Sequence, residues 1–470
     1  MRKTKIVCTI GPASDSPEVI ANLLKAGMNV ARINFSHGTH EEHRARLKTL
    51  RQVAKEQGTV LGIMQDIQGP KIRIGDIPGK VMLETGQKFV ITTEECVGSA
   101  ERVSVNYQGL PRDVRAGSVI YLDDGLLKLE VTEVKGNDVH CRVAVGGELS
   151  SRKGLSLPGV SADLPAVTEA DIEDLRFGVE HGVDMVAASF VRRAEGVETV
   201  RSILRSAGAD IPIIAKIENH EGVENVDEII AAADGIMVAR GDMGVEMRPE
   251  DVPFIQKMII AKCNEAGKPV ITATQMLDSM IRNARPTRAE VTDVASAILD
   301  GTDAVMLSGE TAVGRYPVLT VETMSRIAER AEQSLDREKF TTVKHMDQGT
   351  SIAEAISYAV WQTSRGVNAA AIICSTQLGS TARMVSRYRP EVPILAMTPS
   401  EKVVRQLALV WGVCPILVPP TSDIDGMLEV SIEAALRTGL VSRGDVVAIS
   451  AGVLTDKPGS TNLLQVHLVE

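Results

Sequence analysis

Over residues 5–66, three short apolar runs alternate with two stretches whose apolar residues recur at helical spacing. The runs 5–10 (KIVCTI, closed by Gly11-Pro12), 30–35 (VARINF) and 60–66 (VLGIMQD) predict buried strands, while 17–26 and about 40–57 predict helices. From Lys71 to about Pro165 the pattern changes to period-two runs such as VMLETGQKFVITT and RVSVNY, separated by turn residues. Asp124-Gly125 and Gly136-Asn137-Asp138 are hairpin signals there, so the segment predicts an all-β insert. After Pro165 the alternation resumes, with helices at about 169–181, 194–207, 225–233, 249–266, 288–300 and 317–336. Between them lie apolar strands at 185–190, 212–218, 235–242, 269–275 and 304–310.

Eight β/α units predict an α/β fold built on a closed (β/α)8 TIM barrel, in which chemistry sits at the carboxyl ends of the strands. The insert leaves from the end of the third strand and therefore stands over that face, where a lid belongs. Residues 337–350 are polar and read as a linker, and beyond them five apolar runs alternate with helical stretches, predicting an open-sheet α/β domain. The expected boundaries are 1–70 with 166–338 for the barrel, 71–165 for a β-barrel-like lid domain and 339–470 for the C-terminal domain.

Composition narrows the class. A chain of 470 residues exceeds one ordinary core, so two to four domains are expected. The 51 basic and 61 acidic side chains give a net charge of −10, which argues against nucleic-acid or anionic-membrane binding, so any anionic substrate needs local cations. Aromatic residues make up 3%, which disfavours a stacking platform for single strands. The six cysteines contain no C-x-x-C pair and read as reduced thiols of a cytoplasmic protein. The apolar run after Met1-Arg2-Lys3 is too short for a signal peptide, and no stretch approaches membrane-spanning length.

Candidate chemistry centres on Pro212-Ile213-Ile214-Ala215-Lys216-Ile217-Glu218, where strand alternation puts Lys216 and Glu218 on one face. The run Gly235 to Asp242 repeats the design with a carboxylate at its end. Two hard oxygen ligands suit Mg²⁺, which retains waters and binds phosphate. A buried Lys–Glu pair with Asp242 capping a helix explains either strand alone. It explains both together less well, because unpaired charge atop a core is costly. Other strand ends add Arg32, Asn34, Ser36 and His37, then Asp66, Lys71 and Arg73, then Thr274, then Ser308 and Glu310. Arg32, Arg73 and Lys216 with a carboxylate-bound metal make a site for phosphoryl groups. Neither G-x-x-x-x-G-K-[ST] nor G-x-G-x-x-G occurs, so a nucleotide would be held by metal and arginines. No C-x-x-C or H-E-x-x-H argues for zinc, and His37 reads as a surface or nucleotide-edge contact.

With RINFSHG (32–38), GPKIR (69–73), KIENHEG (216–222), MVARGDMG (237–244), ATQML (273–277), RPTRAE (285–290) and MLSGET (306–311), the chain resembles the pyruvate kinase family over essentially its whole length. The resemblance implies phosphoryl transfer from phosphoenolpyruvate to ADP, giving pyruvate and ATP, in a homotetramer. It implies Mg²⁺, with Mn²⁺ as substitute, on Glu218 and Asp242, and a phosphoryl group held by Lys216 and Arg32. The substrate carboxylate would lie on Gly241, Asp242 and Thr274, and the nucleotide phosphates near Asn34 and Arg73. Thr274, through water organised by Ser308 and Glu310, is the candidate proton donor to the enolate. Many members need K⁺ on groups matching Asn34, Ser36, Asp66 and the carbonyl of Ile67, beside a glutamate at the position of Lys71. Lysine there, with Ile67, Gln68 and Ile74 for polar residues, predicts that K⁺ is not required, the Lys71 ammonium taking its place and compensating Asp66. Ala170 stands where members often have a nucleotide-phosphate lysine. The loop Ser375, Thr376, Gly379, Ser380, Thr381 matches the family's effector-phosphate loop, aided by a segment matching Lys457–Asn462, although plain helix N-capping would use the same residues. Ser380 replaces a basic residue of the bisphosphate-responsive pattern, so a sugar monophosphate or AMP fits as well as a bisphosphate. A Mg²⁺-dependent phosphoenolpyruvate or pyruvate barrel lyase and a non-catalytic metabolite-binding protein are the alternatives.

Overall fold

The computed structural model describes residues 2–160, 162–336, 351–452 and 461–470. The anticipated linker at 337–350 and most of the 457–462 loop lie outside them.

Eight parallel strands close a barrel in simple chain order: Lys5–Thr9, Val30–Asn34, Gly62–Asp66, Met185–Ala188, Ile213–Ile217, Gly235–Ala239, Val270–Ala273 and Ala304–Leu307, the last pairing with the first. Their residues are almost all buried, since helices cover the outside and side chains fill the inside, which is why they read as continuous apolar runs. Local chemistry fixes the helix starts. Thr39 with Glu42, Thr168 with Asp171 and Thr287 with Glu290 form capping boxes before helices His40–Glu56, Glu169–Glu180 and Arg288–Asp300.

The insert is a six-stranded mixed sheet with a separate two-stranded one, interrupted by the helical turn Leu110–Asp113. It has its own apolar core, including Phe89, Ile91, Ile120 and Leu129. The chain enters it at Gly69, whose left-handed backbone (φ 70°) crosses Ser189 so closely that an added Cβ would lie 2.9 Å from the serine Cβ. The Gly69 amide donates to Asp171 Oδ1 at 2.9 Å, so one capping carboxylate also pins the root of the insert.

Beyond the barrel lies a five-stranded sheet ordered Val413–Leu417, Ile394–Thr398, Ala371–Ser375, Val446–Ala451, Leu463–Leu468, the last strand antiparallel. A 3-10 turn of this unit, Leu407–Leu409, covers the amino-terminal mouth of the barrel. Ala408 and Leu409 join the cluster of Val7, Met64, Met185, Ile214 and Met237 there. Around that plug, Arg389 meets Asp303 at 3.0 Å and Arg405 meets Asp184 at 2.8 Å.

Two strands stop three residues short of the sequence-based expectation. The sixth strand stops at Ala239 rather than Asp242, and Arg240–Glu246 is helical, because the Gly241 amide donates to Thr274 Oγ1 (2.7 Å) and draws the chain out of the sheet. The eighth strand likewise stops at Leu307, and Gly309–Ala312 turns into helix. All six cysteines are unpaired. Among the described residues no helix is long and apolar enough to cross a membrane.

Candidate active site

At the carboxyl mouth, Asp66 is the shared anion. Its Oδ2 takes Arg32 Nε at 2.6 Å and its Oδ1 takes Lys216 Nζ at 3.1 Å, with Asp66 only 1% exposed. Burial opposes the charge, but Arg32 and then Lys216 outweigh it and hold the carboxyl below the usual aspartate range. Lys216 also donates to Ser189 Oγ (2.7 Å) and lies 3.1 Å from Glu218 Oε1. Burial works against this ammonium too, yet Asp66 and Glu218 keep its pKa above the ordinary lysine value. One ammonium thus serves two carboxylates, and Asp66, which also has Arg32, gains more. Glu218 is left under-compensated: burial, against the pull of Lys216, pushes it up to about 7, with Asp242 adding repulsion.

A buried carboxylate short of compensating charge suits a cation. Glu218 Oε2 accepts from the Phe190 amide at 2.7 Å, which fixes its orientation. No group of three or more His, Cys, Asp or Glu that could hold a metal occurs among the described residues. A two-carboxylate set therefore fits an ion that keeps several waters and takes further oxygens from substrate, as Mg²⁺ does.

Thr274 and Gln275 adopt left-handed backbone (φ 69° and 55°) at the end of the seventh strand, as does Phe190 (φ 53°) at the fourth. Such strain in residues other than glycine persists only where surroundings enforce it. Arg240 is the enforcer, donating to the carbonyls of Thr274 (2.7 Å) and Ala273 (3.2 Å) while paired to Asp293 at 2.7 Å. The Thr274 hydroxyl accepts from Gly241 and donates to the Ala273 carbonyl at 2.6 Å. Glu310 is 2% exposed and accepts from the amides of Leu277 (3.1 Å) and Ser308 (2.7 Å), so it holds the backbone after the seventh and eighth strands.

Residues named for a monovalent ion have protein partners of their own. Asn34 Oδ1 accepts from the Ser36 amide (3.2 Å), and the Ile67 carbonyl accepts from Ser189 Oγ (2.7 Å). The expectation that Lys71 compensates Asp66 is corrected: Arg32 and Lys216 do so. Lys71 Nζ instead lies 2.9 Å from Asp242 Oδ1 and 3.8 Å from Asp124 Oδ1 of the insert. Arg73 lies in the root of the insert, where it bridges to Gly154 and donates to the Arg152 carbonyl at 3.0 Å; His37 is exposed. A cavity of about 440 Å³ opens between insert and barrel beside Lys71, Phe190, Asp242 and Glu246. In the C-terminal unit, Thr376 Oγ1 accepts from the Gly379 amide (2.9 Å) and Thr381 meets Thr461 at 2.7 Å, while Ser380 opens helix Ser380–Ser386. Sequence reading missed Ser189 and Arg240, although each stands in a segment already marked, one ending the fourth strand and one inside A-R-G-D.

Behind the mouth, Phe35 stacks on the buried ring of His43 at 4.2 Å. Burial, aided by Arg46 and His40, pushes that imidazole down to about 4. Between about pH 6.5 and 4 the unfolded chain therefore binds a proton that the folded chain does not. The stabilisation is present above pH 6.5 and lost on acidification through that window. His43→Leu is expected to flatten the fall in melting temperature between pH 7 and pH 4.5. An unchanged slope would show that other groups carry it.

A closed barrel whose mouth sets cations around metal-competent carboxylates, under an inserted lid, defines a barrel phosphotransferase. The family model described as pyruvate kinase, barrel domain, matches residues 1–321, and that for pyruvate kinase, alpha/beta domain, matches 354–467. The chain is 52% identical to a pyruvate kinase of Sporosarcina psychrophila over 473 residues, which covers 100% of this chain and 81% of that protein. It is 52% identical to one of Geobacillus stearothermophilus over 472 residues (100% and 80%) and 51% identical to one of Staphylococcus epidermidis over 472 (100% and 81%). The chain belongs to the pyruvate kinase family and is a phosphotransferase.

Proposed function

We propose that this enzyme transfers the phosphoryl group of phosphoenolpyruvate to ADP, giving pyruvate and ATP as in glycolysis, with Mg²⁺ and without a requirement for K⁺. The observation that carries this reading is Lys216 held between Asp66 and Glu218 within reach of Arg32. In phosphoryl transfer the protein mainly positions groups and stabilises charge. Lys216 and Arg32 face the group in flight, their side chains fixed in advance by Asp66 and Ser189. Glu218 and Asp242 would hold the metal, which when bound neutralises charge on phosphate and enolate oxygens. Thr274, fixed by Arg240, and the amino end of Arg240–Glu246 receive the substrate carboxylate, and Thr274 delivers the proton to the enolate. Asn34, Arg73 and His37 line the approach of the nucleotide phosphates.

Lys71 supports the absence of a K⁺ requirement, because its ammonium already places one positive charge at the mouth, between Asp242 and Asp124. We further assign 1–70 with 166–338 to the catalytic barrel, 71–165 to the lid and 339–470 to a domain for assembly into a homotetramer and for a phosphorylated effector at Ser375–Thr381. Pyruvate release from phosphoenolpyruvate, ADP and Mg²⁺ is expected in K⁺-free buffer and changes little with added K⁺, whereas Lys71→Glu acquires a K⁺ dependence. Turnover that needs K⁺ in the wild type would overturn the reading of Lys71 alone. Absence of ADP-dependent turnover in both buffers would overturn the kinase reading in favour of a lyase.

A further inference from the structure

Each candidate metal carboxylate has its own lysine: Glu218 has Lys216 and Asp242 has Lys71. The two lysines differ in their other partners. Lys216 also grips Asp66 and Ser189 and is 9% exposed, so it is fixed in the barrel. Among the described contacts Lys71 is held by Asp242 at 2.9 Å, with the Asp124 carboxylate waiting at 3.8 Å and the Phe190 ring at 5.9 Å. It stands two residues beyond the Gly69 crossing, at the root of the lid. Asp124 lies in the lid's turn, where Asp123, Asp124 and Gly125 are all left-handed (φ 51°, 51° and 87°), with Asp123 tied to Lys153 at 2.8 Å.

We propose that Lys71 is a placeholder for the divalent cation: its ammonium occupies Asp242 in the metal-free enzyme and is handed to Asp124 of the lid when the ion binds. This rests on the assignment of Glu218 and Asp242 as the metal carboxylates. A divalent cation arriving at Asp242 repels both ammonium groups, but Lys216 is also held by Asp66 and Ser189, whereas Lys71 has its close contact with Asp242 and can yield. The displaced lysine has a second anion within about one ångström of further travel. Metal loading and lid position are thereby coupled through one side chain that belongs to the lid's own root. Before loading, the ammonium also keeps Asp242 from repelling Glu218 in full.

The test is Mn²⁺ binding to the substrate-free enzyme, followed by the electron paramagnetic resonance of free Mn²⁺. Lys71→Met, and Lys71→Gln as a second form, are expected to bind Mn²⁺ about three- to tenfold more tightly than wild type. Lys153→Met, which removes a nearby lid charge paired elsewhere, should change affinity less than twofold. Asp124→Asn should weaken binding in the wild-type background by more than it does in the Lys71→Met background, because the displaced ammonium then has no acceptor. Lys71→Met binding no more tightly than Lys153→Met, or Asp124→Asn acting equally in both backgrounds, would overturn the hand-over. If Asp242→Asn leaves wild-type Mn²⁺ affinity intact, the metal-site assignment itself fails, which separates the two questions.

Discussion

Replacing Lys216 by Met is expected to lower kcat by about a thousandfold or more while phosphoenolpyruvate still binds, because a fixed charge aimed at the migrating phosphoryl group acts mainly in the transition state. The structure adds a second consequence. Asp66 keeps Arg32, but Glu218 loses the ammonium 3.1 Å away while remaining 1% exposed. Its pKa, already pushed up to about 7, rises further, and the carboxyl becomes protonated near neutrality. Protonation relieves the buried charge, so the loss of stability grows as pH rises above the unfolded carboxyl range. The variant should therefore also unfold at lower urea concentration and bind Mn²⁺ with a steeper pH dependence. Lys216→Arg separates the effects, since it retains charge and much of the stability but misplaces the donor. Single-turnover measurement of pyruvate formation at saturating substrate checks the first claim. A Lys216→Met enzyme within tenfold of wild type would remove Lys216 from the phosphoryl path.

The second large effect is expected far from the chemistry. Asp303→Ala should destabilise the enzyme by about 3–5 kcal/mol, because Arg389 would be left charged at 1% side-chain exposure between barrel and C-terminal unit. Asp303 works on both oxygens, Oδ1 toward Arg389 at 3.0 Å and Oδ2 toward the Val270 amide at 3.0 Å, so its loss also frees the start of the seventh strand. Arg389 remains hydrogen-bonded to Asn264 Oδ1 (2.6 Å) and the Gly301 carbonyl (2.7 Å), and its guanidinium lies 4.9 Å from the centre of the Trp411 ring. Those contacts hold it in place with its carboxylate gone. Adding Arg389→Leu to Asp303→Ala should recover part of the loss, as expected when a buried charge short of its carboxylate rather than a lost contact dominates. Urea unfolding of both single variants and the double variant closes the cycle, and strict additivity would contradict the account.

The sequence made the barrel readable because strands buried on both faces appear as unbroken apolar runs, and because helix starts carry Thr-x-x-Glu or Thr-x-x-Asp pairs whose capping is local chemistry. Lys216 and Glu218 were legible for a similar reason: period-two alternation alone puts them on one face. What local pattern could not supply is where one segment meets another. The helix carrying Asp242 is seven residues long, too short to show a helical period, and its start depends on a hydroxyl at Thr274 thirty-three residues away. The partner of Lys71 depends on how the insert folds back over the barrel. Its assignment to Asp66 followed the family's monovalent-cation site, whereas geometry gives Asp66 to Arg32 and Lys216. Arg389 and Asp303 are 86 residues apart and belong to the C-terminal unit and the barrel, so neither segment hints at the other.

The turn Leu407–Leu409 that seals the foot of the barrel has a consequence for how the molecule is made. A ribosome releases the strand Lys5–Thr9 first and reaches Leu409 roughly 400 residues later, on the order of 20–80 s at ordinary elongation rates. From the end of the eighth strand at Leu307 to Leu409, about 100 residues and on the order of 5–20 s, Met64, Met185 and Met237 lie at an uncovered apolar opening on an otherwise completed barrel. The nascent chain is therefore exposed to off-pathway association until its last domain emerges, and a chain stopped short of that turn inherits the exposure permanently.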